Sequence, residues 1–227
     1  MNARGRWVRW FSELSNKDIS VAGGKGASLA EMYNNKFPVP PGFIVTAQAY
    51  DYFIEKSGLR NTIMTILKET NVDDTHQLDL NAKKIRKLLE ESSIPEDMDS
   101  EIAEAYEVLD VDKNKFHNAS GGALAILRNS YEPPFVAVRS SATTEDLADA
   151  SFAGQQESFL NVKGKDSLIL HVKKCFASLF TARAIYYRKK KGFFNEQSYL
   201  AVVVQKMIDS QKSGVMFTKN PLKNDNM

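Results

Sequence analysis

The 227-residue sequence has little of what marks several large classes of protein. It contains a single cysteine, Cys175, so no intrachain disulfide can form, and this suits a reducing compartment. No apolar run reaches the ~18 residues that a membrane-spanning helix needs. The first residues are basic and aromatic and lack the apolar segment of a secretory signal. We therefore expect a cytoplasmic protein with no membrane partner.

An excess of charge of one sign is also missing. The chain has 30 Lys and Arg residues against 28 Asp and Glu residues, so its net charge is close to balanced and does not indicate nucleic acid as a partner. Its three histidines lie far apart and outside the spacings typical of metal sites, so we predict no metal ligands among them: His76, His117 and His171. We interpret these histidines as structural or solvated, Cys175 as a core residue, and the cationic run 188–191 as a solvated helix end.

Strand and helix patterns are mixed without a regular alternation, which predicts an α+β fold with a mixed, mainly antiparallel sheet and packed helices. The strand candidates are 7–11, the segment after the Pro-Gly turn of "VPPGFIVT" (39–46), 133–138 with 157–162 as its antiparallel neighbour, and the pair 199–208 and 213–220. The helix candidates are 23–35, a helix capped by Thr46 that ends at Gly58, a helical region from Leu59 to about Leu127 with Pro95 in a first turn, and a long helix over 165–192.

A cluster of polar residues follows the strand candidate 133–138 in "VAVRSSATTEDLADASFAGQQESFLNV" (136–162). Arg139, at the predicted strand end, offers a guanidinium fork for phosphate oxygens. Ser140, Ser141, Thr143 and Thr144 supply hydroxyls, and the glycine at 154 lets backbone N–H groups approach an anion closely. The alternative is a hairpin with a solvated loop, in which Arg139 pairs with Asp146 or Asp149.

Two weaker signals accompany this cluster. Lys25 stands among three glycines at a predicted helix start, which favours an anion, but Gly26 follows it where a P-loop has Ser or Thr. An exposed lysine on a glycine-rich turn is the alternative. The strand end Gln205-Lys206-Met207 could offer backbone groups and an apolar wall to an adenine, or be an ordinary strand end.

Four stretches in this order carry a resemblance to a known family: "GGKGASLAEM", "VPPGFIVT", the 136–162 stretch and "VVVQKMIDSQKSGVMFTKNP". The chain resembles the N-terminal, ATP-binding part of the phosphoenolpyruvate synthase and pyruvate phosphate dikinase family. The resemblance implies the first lobe of an ATP-grasp nucleotide site over 1–197 and the opening strands of a second lobe over 198–227.

The resemblance also implies roles for particular residues. Lys25 and Arg139 match the phosphate-binding lysine and arginine, which position the phosphates and stabilise charge during phosphoryl transfer. We add the neighbouring hydroxyls of Ser140 and Thr144 to the nucleotide site. The glycine-rich loop over the phosphates corresponds to Gly154, Gln155 and Gln156, and the adenine-side hinge corresponds to Gln205, Lys206 and Met207.

In this family ATP with Mg²⁺ phosphorylates a histidine on a mobile domain, and pyruvate then receives the phosphoryl group, giving phosphoenolpyruvate, AMP and phosphate. The acidic Mg²⁺ segment, the phosphohistidine motif and the pyruvate barrel have no match here, so we expect a fragment that is inactive alone. Pyruvate would be met only through other domains, and the full-length enzyme could be an oligomer. Two alternatives stay open: a related dikinase, such as a rifampicin or glucan phosphotransferase, and a non-catalytic nucleotide-binding module.

Overall fold

A computed structural model of the chain describes residues 6–109, 132–143, 157–192 and 199–217. Within these ranges it contains five strands, which are β1 (Val8–Trp10), β2 (Gly42–Val45), β3 (Val136–Ala142), β4 (Ser158–Val162) and β5 (Leu200–Lys206). The same ranges contain seven α-helices, which are α1 (Ile19–Asn34), α2 (Ala47–Lys56), α3 (Leu59–Glu69), α4 (Thr75–Glu91), α5 (Glu96–Glu107), α6 (Lys165–Ala177) and α7 (Ala182–Lys190).

The five strands form one sheet in the order β1-β2-β5-β3-β4, and each neighbouring pair is antiparallel. This confirms the predicted α+β class, including the antiparallel pairing of β3 with β4. The last of the described strands in sequence, β5, lies at the centre, where Val204 faces Phe43 of β2 on one side and Val138 of β3 on the other. The sheet therefore extends past the predicted lobe boundary at residues 197 and 198.

The side chains of the central strands alternate between two packed layers. Phe43, Val138 and Val204 point into the larger core, which holds the apolar sides of α2 to α6. Ile44 and Val203 point to the opposite face, where they meet the small residues of α1 and the 3₁₀ turn Phe11–Glu13. Because successive residues of a strand face opposite sides, one strand can supply both the large core and a separate surface.

The helix boundaries after β2 are those that the sequence predicts. The Thr46 hydroxyl accepts a hydrogen bond from the Ala49 N–H, which satisfies one of the donors that a helix start leaves open. The helix α2 ends at Lys56, and Gly58 adopts a left-handed φ of 67° just beyond it. Among the described helices, none has the length and hydropathy required to cross a bilayer.

The predicted long helix over 165–192 is wrong, because the chain breaks it near its middle. A 3₁₀ turn follows α6, and Thr181 then adopts an extended conformation and caps α7 by accepting from the Ala184 N–H. The prediction for 188–191 also fails at Arg188, which is 8% exposed and donates to the Leu179 carbonyl. Burial lowers the pKa of Arg188, although the nearby Tyr50 opposes this effect.

Three further element predictions need correction. The predicted strand 133–138 instead begins at Val136 and continues to Ala142. Residues 213–217, the described part of the predicted strand 213–220, form no strand and are exposed. Pro95 lies at the N-cap of α5 rather than inside its first turn, with φ −55° and ψ 140°.

Candidate functional site

The face of the sheet opposite the large core carries Arg139. Arg139 is the fourth of the seven residues of β3, so its predicted position at a strand end is wrong, and the side chain leaves the sheet through this face. It is opposite Val203 of β5 and Ser158 of β4. Ser141 shares the face because it is two residues further along the strand, about 7 Å from Arg139.

The helix α1, which carries Lys25, lies against this face. Its helical conformation is interrupted at Gly23, where φ is 66° and ψ is 172°. The Gly26 N–H donates to the Ser141 Oγ over 3.1 Å, and this contact is buried. Lys25 is therefore next to a residue bonded to Ser141, while Arg139 precedes Ser141 on the same face of β3. The contact between α1 and β3 brings the two predicted cations to one region of the molecule.

Ser140 faces the other way. Its N–H and its hydroxyl both donate to the Glu157 carbonyl, over 3.1 and 3.0 Å. The side chain is buried on the face of Val138 and Ala142, away from Arg139. The structure thus places the Ser140 hydroxyl in the link between β3 and the start of β4, and places the hydroxyl of its neighbour Ser141 on the Arg139 face.

The end of β5 continues the same face. Gln205 is opposite Ala137, and its side-chain amide donates to the Pro40 carbonyl over 3.2 Å. The Lys206 N–H donates to the Pro41 carbonyl over 3.0 Å, and the Met207 N–H donates to the Phe135 carbonyl over 2.8 Å. These two N–H groups are therefore engaged within the protein, so a ligand at this strand end would meet carbonyl groups and side chains instead.

Four predicted site residues, which are Thr144, Gly154, Gln155 and Gln156, lie outside the described residues, as do Asp146 and Asp149. Glu157, which follows them, is fixed from two sides. Ser140 binds its carbonyl, and its carboxylate is 3.9 Å from the Arg86 guanidinium of α4. The structure thereby anchors the start of β4 to both the sheet and the helical layer.

The residues interpreted as structural take that role where they are described. Cys175 is buried, which confirms its place in the core, and burial raises the pKa of its thiol. His171 Nδ1 lies 2.7 Å from the Ser167 carbonyl oxygen, and its ring packs on Phe159. His76 is exposed at the start of α4, and His117 lies outside the described residues.

Ser141 is a residue of this site that the sequence analysis names only as one hydroxyl among four. These four hydroxyl residues lie within positions 140–144, interrupted by Ala142, and residue type alone does not single out Ser141. Its position two residues after Arg139 could have placed both side chains on one face of a strand. The predicted strand end at 138 removed that signal, because alternation applies only within a strand.

Comparison with known proteins identifies the family. Residues 19–227 match the family described as pyruvate phosphate dikinase, AMP/ATP-binding domain. Similar proteins include the probable phosphoenolpyruvate synthase of Methanocaldococcus jannaschii, which is 50% identical over 217 residues that cover 96% of this chain and 17% of that protein. The phosphoenolpyruvate synthase of Pyrococcus furiosus is 43% identical over 252 residues, which cover 97% of this chain and 29% of that protein.

A more distant similarity is to the phosphoenolpyruvate synthase of Helicobacter pylori, at 42% identity over 219 residues that cover 94% of this chain and 25% of that protein. The chain spans 17–29% of the length of these relatives. The family match covers Lys25, Arg139, the helix α1 and all the described strands after β1. The chain therefore belongs to the pyruvate phosphate dikinase AMP/ATP-binding domain family, and its α+β fold is the ATP-grasp-like one predicted from the resemblance.

Proposed function

We propose that this chain binds the phosphates of ATP between Lys25 and Arg139. The single observation that carries this proposal is the packing of α1 on β3, where the Gly26 N–H, next in sequence to Lys25, donates to Ser141, two residues after Arg139. A triphosphate has several negative oxygens, and an ammonium and a guanidinium from two elements can bind different ones at once. Membership of an AMP/ATP-binding family supports the nucleotide as the ligand.

The two cations would have different tasks. The planar guanidinium of Arg139 favours bidentate binding of phosphate oxygens, whereas the Lys25 ammonium acts as a point charge. Among the described ion pairs none involves Arg139, and its side chain is partly exposed. Such groups hold the phosphates in place and stabilise the charge that develops during phosphoryl transfer.

Magnesium fits the described residues less well than the phosphates do. Within the described ranges, no group of three or more His, Cys, Asp or Glu side chains could hold a metal ion. The charged side chains of the described site, Lys25 and Arg139, are cationic and would repel a metal ion. Mg²⁺ instead takes oxygen ligands from carboxylates and phosphates. We therefore propose Mg·ATP as the form of the nucleotide and assign the ion no ligand among these residues.

The activity of the longer protein is part of the same proposal. Relatives named phosphoenolpyruvate synthase cover nearly all of this chain, which supports a phosphotransferase that forms phosphoenolpyruvate from pyruvate, ATP and water. AMP and phosphate would be the other products, and a phosphohistidine outside this chain would carry the phosphoryl group. Pyruvate would bind elsewhere in the longer protein. A cytoplasmic location and a role in gluconeogenesis complete this proposal.

We also propose a later boundary between the two lobes than the one at residues 197 and 198. The strand β5 pairs on both sides with strands of the first lobe and is buried over Leu200 to Gln205. A boundary before this strand would divide one sheet. A boundary after Lys206 keeps the sheet whole and leaves the exposed residues 208–217 to the connection.

The proposed site is tested by titration calorimetry of the chain with Mg·ATP. Arg139→Ala and Lys25→Ala should each weaken binding by about 2–5 kcal/mol, because each leaves a phosphate without its charged partner. Circular dichroism should show both variants folded. Lys87→Ala is the matched control. Lys87 is an exposed lysine of α4, on the other side of the sheet, where it pairs with Glu91, so the Lys87→Ala chain should bind ATP like the parent.

Two results would contradict the proposed site. One is the absence of ATP binding by the parent chain. The other is parental affinity in both Arg139→Ala and Lys25→Ala.

A further inference from the structure

The helix α1 is interrupted at Gly23, and its second part begins again at Gly24 as a new helix start. The residue before that start is Gly23, which has no side chain with which to cap the helix. Its φ of 66° with ψ of 172° belongs to a region that is essentially restricted to glycine. The N–H groups of the restarted helix therefore need an acceptor from elsewhere in the chain.

Ser141 supplies that acceptor from a different element. A Cβ added to Gly23 would lie 2.3 Å from the Ser141 Oγ and 2.3 Å from the Ser141 carbonyl oxygen. The Ser141 hydroxyl thus occupies the space that a capping side chain at position 23 would take. It accepts from the Gly26 N–H, the third residue of the restarted helix, which is the donor that an ordinary cap satisfies.

We infer that Ser141 is a positioning residue for the phosphate site, which caps the restarted helix from β3 and thereby sets Lys25 against Arg139. This inference rests on the proposed function. Ser141 is 0% exposed, so it is placed to act through Lys25 rather than by direct contact with a bound nucleotide. The Oγ contact fixes the start of the helix relative to the strand, and phosphate binding by groups from two elements depends on that fixed placement.

The test is a double-mutant cycle on Mg·ATP affinity, measured by titration calorimetry with the full chain. Ser141→Ala leaves the buried Gly26 N–H without its acceptor, and we expect it to weaken binding about tenfold, within the range for residues that act through one contact. In a Lys25→Ala background the same substitution should change affinity by less than about twofold, because the group that it positions is gone.

Ser178→Ala is the matched control. This serine is also buried, and its hydroxyl donates to the Cys175 carbonyl over 2.6 Å in the helical layer on the other face of the sheet. The Ser178→Ala substitution should lower the free energy of unfolding without changing ATP affinity. Should Ser141→Ala fail to fold, Ser141→Cys replaces it in the cycle, since sulfur keeps the side-chain shape and accepts hydrogen bonds weakly.

Each outcome has a distinct meaning. A tenfold loss that disappears in the Lys25→Ala background supports the inference. Equal losses in both backgrounds, or no loss for either Ser141 variant, overturn it and leave the proposed function standing. If Lys25→Ala binds ATP like the parent chain, the inference fails, and if Arg139→Ala does so too, the proposed function fails with it.

Discussion

Two adjacent serines show how strongly position in a strand decides the role of a residue. Ser140 and Ser141 are chemically identical and are both buried. The Ser140 hydroxyl donates to the Glu157 carbonyl on the face of the large core, whereas the Ser141 hydroxyl accepts from the Gly26 N–H on the face of α1. Alternation along β3 separates them, so only Ser141 lies on the face that carries Arg139.

Cys175 gives a prediction at the same scale. Burial, with a smaller contribution from Glu157, raises the pKa of its thiol above the ordinary value. A thiol whose folded-state pKa is raised stabilises the protein fully below the ordinary pKa, and this stabilisation is lost as the pH rises above it. We expect the free energy of unfolding of the parent chain, measured against Cys175→Val by urea denaturation, to decline above pH 9.

Thiol labelling provides the control for this prediction. Only the thiolate attacks an alkylating reagent, so Cys175 should stay unreactive in the folded chain and react normally in urea. Rapid alkylation of the folded chain would show that the thiol is accessible and would remove the basis of the pH prediction.

At the scale of elements, side-chain periodicity and capping residues predict most helices, and local breaks decide the rest. Thr46 and Gly58 bound a helix where expected. The break at Thr181 was missed because apolar residues continue at helical spacing across it. The break at Gly23 has a different cause, since the close approach of β3 leaves no room for a side chain there.

The two glycines that contact Ser141 and Ile44 should respond differently to substitution by alanine. Gly23→Ala would place a Cβ 2.3 Å from backbone and side-chain atoms of Ser141, in a conformation that itself costs about 1–3 kcal/mol for other residues. Gly26→Ala would place its Cβ 2.9 Å from the Ile44 Cδ1, the end of a side chain that can move. We expect Gly23→Ala to lower the free energy of unfolding by ~2–4 kcal/mol more than Gly26→Ala.

Urea denaturation of both variants measures this difference. Equal stability of the two variants, or a more stable Gly23→Ala, would contradict the strained close approach at Gly23.

At the scale of the whole molecule, the last of the described strands in sequence, β5, lies at the centre of the sheet. Within the described sheet, β5 pairs with β2 on one side and with β3 on the other, and so joins the N-terminal strands (β1 and β2) to the middle strands (β3 and β4). Beyond it, exposed apolar side chains continue at Ile208, Val215, Met216 and Phe217. Exposed apolar surface of this kind is typical of places where other protein packs.

Truncation tests this organisation. A chain of residues 1–209 keeps the complete sheet and should fold, whereas a chain of residues 1–198 lacks β5 and should not, because two strand pairings and a row of buried valines are lost. Circular dichroism and thermal denaturation of the two chains check this. A cooperative transition in the shorter chain would contradict the central role of β5 and would favour the boundary at 197 and 198.

The sequence by itself determined the family, the α+β class and the helix ends at Thr46 and Gly58, and it predicted Lys25 and Arg139 as phosphate-binding cations. Each of these depends on residue type, short spacing or local capping, which act between near neighbours. Only the tertiary structure decided that β5 is central, that Arg188 is buried, and that Ser141 rather than Ser140 lies on the face of Arg139 and bonds to Gly26. Those outcomes depend on contacts between segments distant in sequence, such as Gly26 with Ser141 across 115 positions, which no local pattern records.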